Sequence, residues 1–293
     1  MALTRNMKGA LFMACAMAGF TINDALAKSV TQMASVGQIM FIRGALATLL
    51  IYIVARRAGA SMSLHVLKDP LILTRVMCEI LGSITYLTAL SLIPLANAAS
   101  ILQSLPLAVT LGAAVFLREP VGWRRWMAIL VGFLGVMIII RPGVEGFTLS
   151  ALYVLGSVFF AATRDLVTTR INITTPTIIV TLLTAAGNSL AGLLLIPMQG
   201  GWQPVSLTMF TVLLLAAAML FIGYQTVILA MRTGEISFIA PFRYSSMLWA
   251  IGLGIIVFQD WPEPIMLLGM AIVMLSGLYT FHRERQKKIA VEA

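Results

Sequence analysis

The residues able to do chemistry in this chain are few, and they sit in unusual places. Arg43, Arg75, Glu79, Arg164, Asp165 and Arg243 each interrupt a long apolar run, and Asp24 and Lys28 stand near the end of another. A charge in such a run is costly unless it meets a partner or water, so each one marks either a structural pair or a polar path. Arg75 and Glu79 are four residues apart, share one helical face and are placed to pair; Asp24 and Lys28 have the same spacing. Arg43 and Arg243 have no acid at helical spacing within their own runs. Each therefore needs a partner from another helix or from a ligand carboxylate. Arg243 is the leading candidate for a ligand carboxylate, with Tyr244 and Gln103 sharing the load. Glu79, the one carboxylate deep inside a run, is the candidate for an ammonium group or a coupling proton, unless Arg75 already neutralises it. Arg43, Arg75, Asp24 and Asp165 complete the charge or coupling set, and Tyr86, Tyr224, Gln225 and Trp249 are the further candidates for a substrate lining. Each also has a plainer reading as an ion pair, an interface anchor or a bridge between helices.

Pro106 and Pro241 are candidate hinges. Proline removes a backbone donor, which frees the Leu102 carbonyl in one run and the Ser237 carbonyl in the other; a static bend is the alternative. No phosphate-binding glycine loop, paired-histidine spacing or metal-ligand cluster is present, and the two cysteines, Cys15 and Cys78, both lie in apolar runs. The sequence thus points away from an enzyme, a metal centre or an organic cofactor.

Positioning such charges requires a membrane. Sixty per cent of the 293 residues are hydrophobic, 11% are charged and the mean hydropathy is +0.97, which no soluble domain of this length needs. The runs are long and do not alternate, so they read as helices rather than barrel strands. The net charge of +9 lies between the runs, which argues against nucleic acid as a partner; the partners are a lipid bilayer and a small molecule. Ten spans result: 7–27, 36–54, 71–92, 96–117, 126–140, 149–168, 177–196, 207–231, 236–258 and 265–281. Each approaches the ~20 residues that cross a ~30 Å hydrocarbon core. The first is too long for a signal peptide, and Asn23-Asp24 stands where a cleavage site would fall.

Lysine and arginine placement orients the chain. With the N-terminus inside, the outer loops hold only Lys28 and Arg141, so both termini are expected in the cytoplasm. The stretch from Pro94 to Pro142 holds two spans joined by a charged turn at Arg118-Glu119-Pro120. The layout returns at Pro241–Tyr279 around Gln259-Asp260-Trp261-Pro262. Setting Glu119 on Asp260 gives an offset of about 141 residues, which also lays Asp24 on Asp165 and Ala99 on Ala240. Five spans per half is an odd number, so the second half enters the membrane the opposite way. The expected organisation is a first repeat over 1–142, an inverted second repeat over 143–281 and a basic tail over 282–293. The fold class is an all-α polytopic membrane protein of ten helices. A monomer suffices for it, and the sequence does not set the oligomeric state.

This pattern resembles the drug/metabolite transporter superfamily, EamA type. The residues that carry the likeness are Pro94-Leu95-Ala96, Pro106, Leu117-Arg118-Glu119, Gly132, Gly135, Arg141-Pro142-Gly143 and Ala240-Pro241-Phe242-Arg243-Tyr244. Within the superfamily the pattern resembles the YddG-like branch of amino-acid and metabolite exporters. One departure is Gln259-Asp260, where the family usually has Gly-Glu. The resemblance implies a secondary carrier that exports amino acids and related small metabolites across a bacterial inner membrane by alternating access. It also implies a central cavity lined by spans 1, 3, 4, 6, 8 and 9. The alternatives are a proton-coupled drug or cation antiporter and a passive channel or facilitator. In the four-helix relatives the antiport carboxylate lies in the first span, where this chain has only Asp24.

Overall fold

A computed structural model describes residues 4–59, 66–118, 122–141, 149–172, 175–233 and 236–292. Glu119, Pro142-Gly143 and Val144 lie outside them. The described chain is helical: α1 Arg5–Ser29, α2 Val36–Arg57, α3 Pro70–Leu92, α4 Leu95–Leu102, α5 Leu105–Phe116, α6 Trp123–Ile140, α7 Leu149–Thr168, α8 Thr177–Leu195, α9 Leu207–Thr233, α10 Ile236–Ile239, α11 Ser245–Phe258 and α12 Pro264–Glu292. These make ten segments long and apolar enough to cross a membrane, as the hydropathy pattern predicts. Several boundaries differ from the sequence reading; α1 and α2 run two or three residues longer. α6 begins at Trp123, so Trp123-Arg124-Arg125 form its first turn, and α12 continues through the basic tail to Glu292.

Local chemistry sets the starts. The side chains of Thr4, Ser35 and Asp69 accept hydrogen bonds from the backbone amides of Met7, Gln38 and Leu71, capping donors that the first turn leaves free. Pro70 follows Asp69 in the first helical turn, where its missing N–H costs nothing.

Spans 4 and 9 are broken, and this shapes the site. Span 4 divides into α4 and α5 at Gln103-Ser104. Span 9 divides into α10, a 3-10 turn over Ala240–Tyr244, and α11. Pro106 and Pro241 stand at the starts of the segments that follow the interruptions. The prolines occupy different registers, yet the breaks do not: Gln103 falls on Tyr244 at the 141-residue offset. The far ends of the two helices match as well. Arg118 (φ 55°) and Gln259 (φ 57°) are also 141 apart, and both adopt the left-handed conformation that glycine favours. The 141-residue offset thus relates backbone features at positions where the side chains differ.

The helices contact one another in pairs. α1 packs on α9 and α3 on α7, which pairs span 1 with 8 and span 3 with 6. α2 packs on α8, α6 on α12 and α4 on α11, each joining the equivalent spans of the two halves. Small residues permit the close crossings. A Cβ on Gly192 would lie 2.5 Å from the Phe41 amide nitrogen and 2.7 Å from the Gly37 carbonyl oxygen, so α2 and α8 meet backbone to backbone. Ser189 Oγ then donates to the Phe41 carbonyl at 3.0 Å. Gly192→Leu should force these helices apart at a cost of about 3 kcal/mol, the upper part of the range for overpacking. Thermal unfolding of the detergent-solubilised protein checks this, and a wild-type midpoint rejects it.

The packing is lopsided along the bundle. We call the face from which α1 starts the near face and the opposite one the far face. The main apolar cluster gathers the far ends of nearly every span, with Ala27, Leu90, Leu95, Val154, Leu213 and Met270 among its members. The near-face cluster joins only Met13, Ala16, Met17, Ala230 and Ile239, from α1, α9 and α10. The bundle is sealed at the far face and hollow towards the near one.

Candidate functional site

The hollow is a cavity of about 550 Å³. Spans 1, 3, 4, 6, 8 and 9 line it, as the resemblance implies. Spans 2, 7 and 10 do too, through residues such as Arg43, Asn188 and Gly277. Of the residues singled out from the sequence, Asp24, Arg43, Arg75, Glu79, Tyr86, Gln103, Pro106, Asp165, Tyr224, Arg243 and Tyr244 reach the cavity wall. Gln225, Trp249 and Pro241 do not, and Trp249 is exposed on the bundle exterior.

The charges fall into three groups. In the first, Arg164 donates to Glu79 Oε2 at 2.7 Å and to Asp165 Oδ1 at 2.8 Å, tying α7 to α3. The Arg75–Glu79 pair suggested by spacing is replaced by this cross-helix one. Arg75 instead donates to Thr168 Oγ1 at 3.0 Å and to Thr184 Oγ1. A partner one turn along the same helix must share its face, whereas α7, packed against α3, brings the Arg164 guanidinium to Glu79.

The second group lies deeper, towards the far seal. Tyr86 OH donates to Asp24 Oδ2 at 3.0 Å, and Asn23 Nδ2 donates to Asp24 Oδ1 at 2.9 Å. Arg43, buried in span 2, donates to Asn23 Oδ1 at 3.2 Å. Asn23 is the member that the sequence reading missed. It is adjacent to the flagged Asp24, but only the fold turns it towards Arg43. Asp24 does not pair with Lys28. One turn nearer the far face, Lys28 Nζ donates to the carbonyls of Leu90 (2.9 Å) and Ile93 (2.5 Å), capping the C-terminal end of α3. It also sits 5.5 Å from the centre of the Phe258 ring at the end of α11. One ammonium thus holds α1, α3 and α11 together across the far seal.

The third group forms where the two broken helices meet. Gln103 Nε2 donates to the Arg243 carbonyl at 3.2 Å and to Ser246 Oγ at 2.8 Å, cross-linking the breaks. Both interruptions release backbone groups that a continuous helix would consume, and this amide takes up one of them. Arg243 lines the cavity with an exposed side chain, and among the described residues no carboxylate lies within ion-pairing distance of it. Beside it the Tyr244 hydroxyl is buried without a hydrogen-bond partner, packed so closely on Gly277 that no side chain fits there. Asn188 Oδ1 is likewise buried and unpartnered on the opposite wall. The cavity therefore offers a free guanidinium to whatever enters it, while the Tyr244 hydroxyl and the Asn188 side-chain oxygen are enclosed in its wall. Among the described residues no group of acids, histidines and cysteines is arranged to hold a metal ion.

Residues 7–141 match the model of the EamA-like transporter family. Along 290 residues the chain is 29% identical to a riboflavin transporter of Vibrio cholerae, covering 96% of this chain and 95% of that protein. It is 26% identical to the pseudopaline exporter CntI of Pseudomonas aeruginosa, over 92% of this chain and 94% of the exporter. It is also 26% identical to an S-adenosylmethionine uptake transporter of Rickettsia bellii, over 70% of each. A protein of known crystal structure has the same fold, with a TM-score of 0.66 over 95% of this chain and 98% of that one at 17% identity. With its ten spans and its end-to-end likeness to transporters, the chain is a membrane transporter, not an enzyme, and its residues 7–141 are similar to the EamA-like transporter family.

Proposed function

We propose that the protein is a secondary carrier of amino acids and related carboxylate-bearing metabolites, that it works by alternating access and that its physiological direction is export. The observation that carries this reading is Arg243, a cavity-lining guanidinium that among the described residues has no carboxylate partner. A substrate carboxylate would supply what the fold withholds. The bundle's asymmetry supports alternating access, since the cavity opens towards one face while Lys28 and the apolar cluster close the other. The excess of basic residues at the near face supports a near face in the cytoplasm, with both termini there. A cavity open to the cytoplasm is the loading state of an exporter. Inner-membrane location and the YddG-like branch belong to the same reading.

A second reading concerns size. About 550 Å³ exceeds what an amino acid fills and falls within the ~300–1,000 Å³ of pockets for drug-sized ligands. The relatives are named for riboflavin, pseudopaline and S-adenosylmethionine, and for both uptake and export. Larger metabolites that carry the same anionic group are therefore the alternative cargo.

Counterflow tests both readings. Proteoliposomes preloaded with an unlabelled amino acid should transiently accumulate the same labelled amino acid above equilibrium. Simple equilibration marks a channel, and inactivity across an amino-acid panel rejects the amino-acid cargo and passes riboflavin and S-adenosylmethionine to the same assay. Orientation is checked separately with Gly122→Cys, which an impermeant maleimide should label only after the cells are permeabilised.

A further inference from the structure

We propose that Asp24, presented by Asn23 and Tyr86 at the floor of the cavity, is a subsite for a protonated amine. The inference rests on the reading of this cavity as the transport site and replaces Glu79 as the group that meets a substrate ammonium. Three carboxylates line the cavity: Asp24, Glu79 and Asp165. Arg164 holds two of them in ion pairs. Among the described residues, Asp24 alone has no guanidinium or ammonium within ion-pairing distance; its two bonds come from neutral donors, the Tyr86 hydroxyl and the Asn23 amide.

An ionised carboxylate accepts at about four lone-pair positions. Two are filled here, one on each oxygen, which leaves one free on each. An ammonium group carries three donors and suits such a pair of open acceptors. Arg43 explains how the two acceptor positions stay free of protein donors. Its guanidinium is directed at Asn23 Oδ1 instead of the carboxylate, so it fixes the amide that orients Asp24 and offsets the buried negative charge without occupying the acceptor positions. Glu79 lacks this freedom, because the guanidinium bound to it comes from a neighbouring span and is itself held by Asp165.

The placement gives the cavity two poles. Arg243 stands at the break in span 9, and Asp24 lies deeper, one helical turn from Lys28 and the far seal. A zwitterion entering from the near face would meet the guanidinium with its carboxylate and the floor with its ammonium.

Equilibrium binding to the purified full chain in detergent tests the subsite with radiolabelled isoamylamine, which is leucine without its carboxylate. L-leucine and 4-methylpentanoate, which is leucine without its amine, serve as comparators. The wild type should bind isoamylamine, Asp24→Asn should bind it at least roughly tenfold more weakly, as expected for the loss of a hydrogen bond to a charged group, and Asp24→Glu should retain it. In the wild type, 4-methylpentanoate should leave isoamylamine bound, so the result does not depend on the variants folding. Absence of isoamylamine binding to the wild type, undiminished binding by Asp24→Asn, or mutual displacement of amine and acid overturns the subsite. Binding of isoamylamine without binding of L-leucine leaves the subsite standing and removes the amino-acid cargo instead.

Discussion

Replacing Arg243 by alanine is expected to abolish amino-acid counterflow while the protein still inserts and purifies as a monodisperse species. The expectation follows from what Arg243 does and does not touch. Its carbonyl is held by Gln103, so the break in span 9 is fixed through the backbone and does not need the side chain. The guanidinium has no protein carboxylate to neutralise among the described residues, so its loss strands no buried partner. What is lost is the contact to the substrate. Removing one member of a desolvated charge pair costs ~2–5 kcal/mol, roughly thirtyfold or more in affinity at ~1.4 kcal/mol per decade. Arg243→Lys keeps the charge but gives up the planar fork that grips a carboxylate at two points, so it should recover only part of the rate. Wild-type counterflow by Arg243→Ala removes Arg243 from substrate binding, and failure to insert makes it a structural residue.

The sequence displays those parts of the fold that depend on one helix at a time. Hydropathy delimits each span, because crossing lipid demands a continuous apolar run. Pro106 and Pro241 announce the two broken helices, because a missing N–H is a local fact. The expected inverted duplication rests on a single offset, and Arg118 and Gln259, two left-handed residues, stand at that offset too. Contacts between helices are hidden. Spacing within α3 offers Glu79 the partner Arg75, while the fold supplies Arg164 from α7. Which face of a membrane helix lines a cavity is hidden too, since lipid and protein interior are equally apolar and leave little amphipathic signal. Tyr224 reaches the cavity and its neighbour Gln225 does not, because one residue along a helix turns the side chain by about 100°. Spans 2 and 7 stand outside the six-span lining that the resemblance implies, although Arg43 in one and Asn188 in the other reach the cavity.

The cross-helix pair at Arg164 leads to a second large effect, on stability. Arg164→Leu removes the only guanidinium within ion-pairing distance of Glu79 among the described residues, and Asp165 loses its partner at the same stroke. The Glu79 side chain is only 17% exposed, so water replaces the lost contact poorly. Breaking a buried pair from one side costs ~3–5 kcal/mol, because the remaining charge is left unpaired. Asp165 is 36% exposed and recovers some solvation, which places the expected loss near the lower end, about 3 kcal/mol. The pair itself is a different matter. Removing both charges with Arg164→Leu and Glu79→Leu should recover much of the loss, since apolar groups of similar size often replace a buried ion pair without penalty. Unfolding of the two single variants and the double variant in detergent measures the coupling directly. If Arg164→Leu unfolds at the wild-type midpoint, Arg164 is not the staple between α3 and α7. A double variant as unstable as Arg164→Leu alone would place the cost in lost packing around the guanidinium stem, leaving the carboxylate out of it.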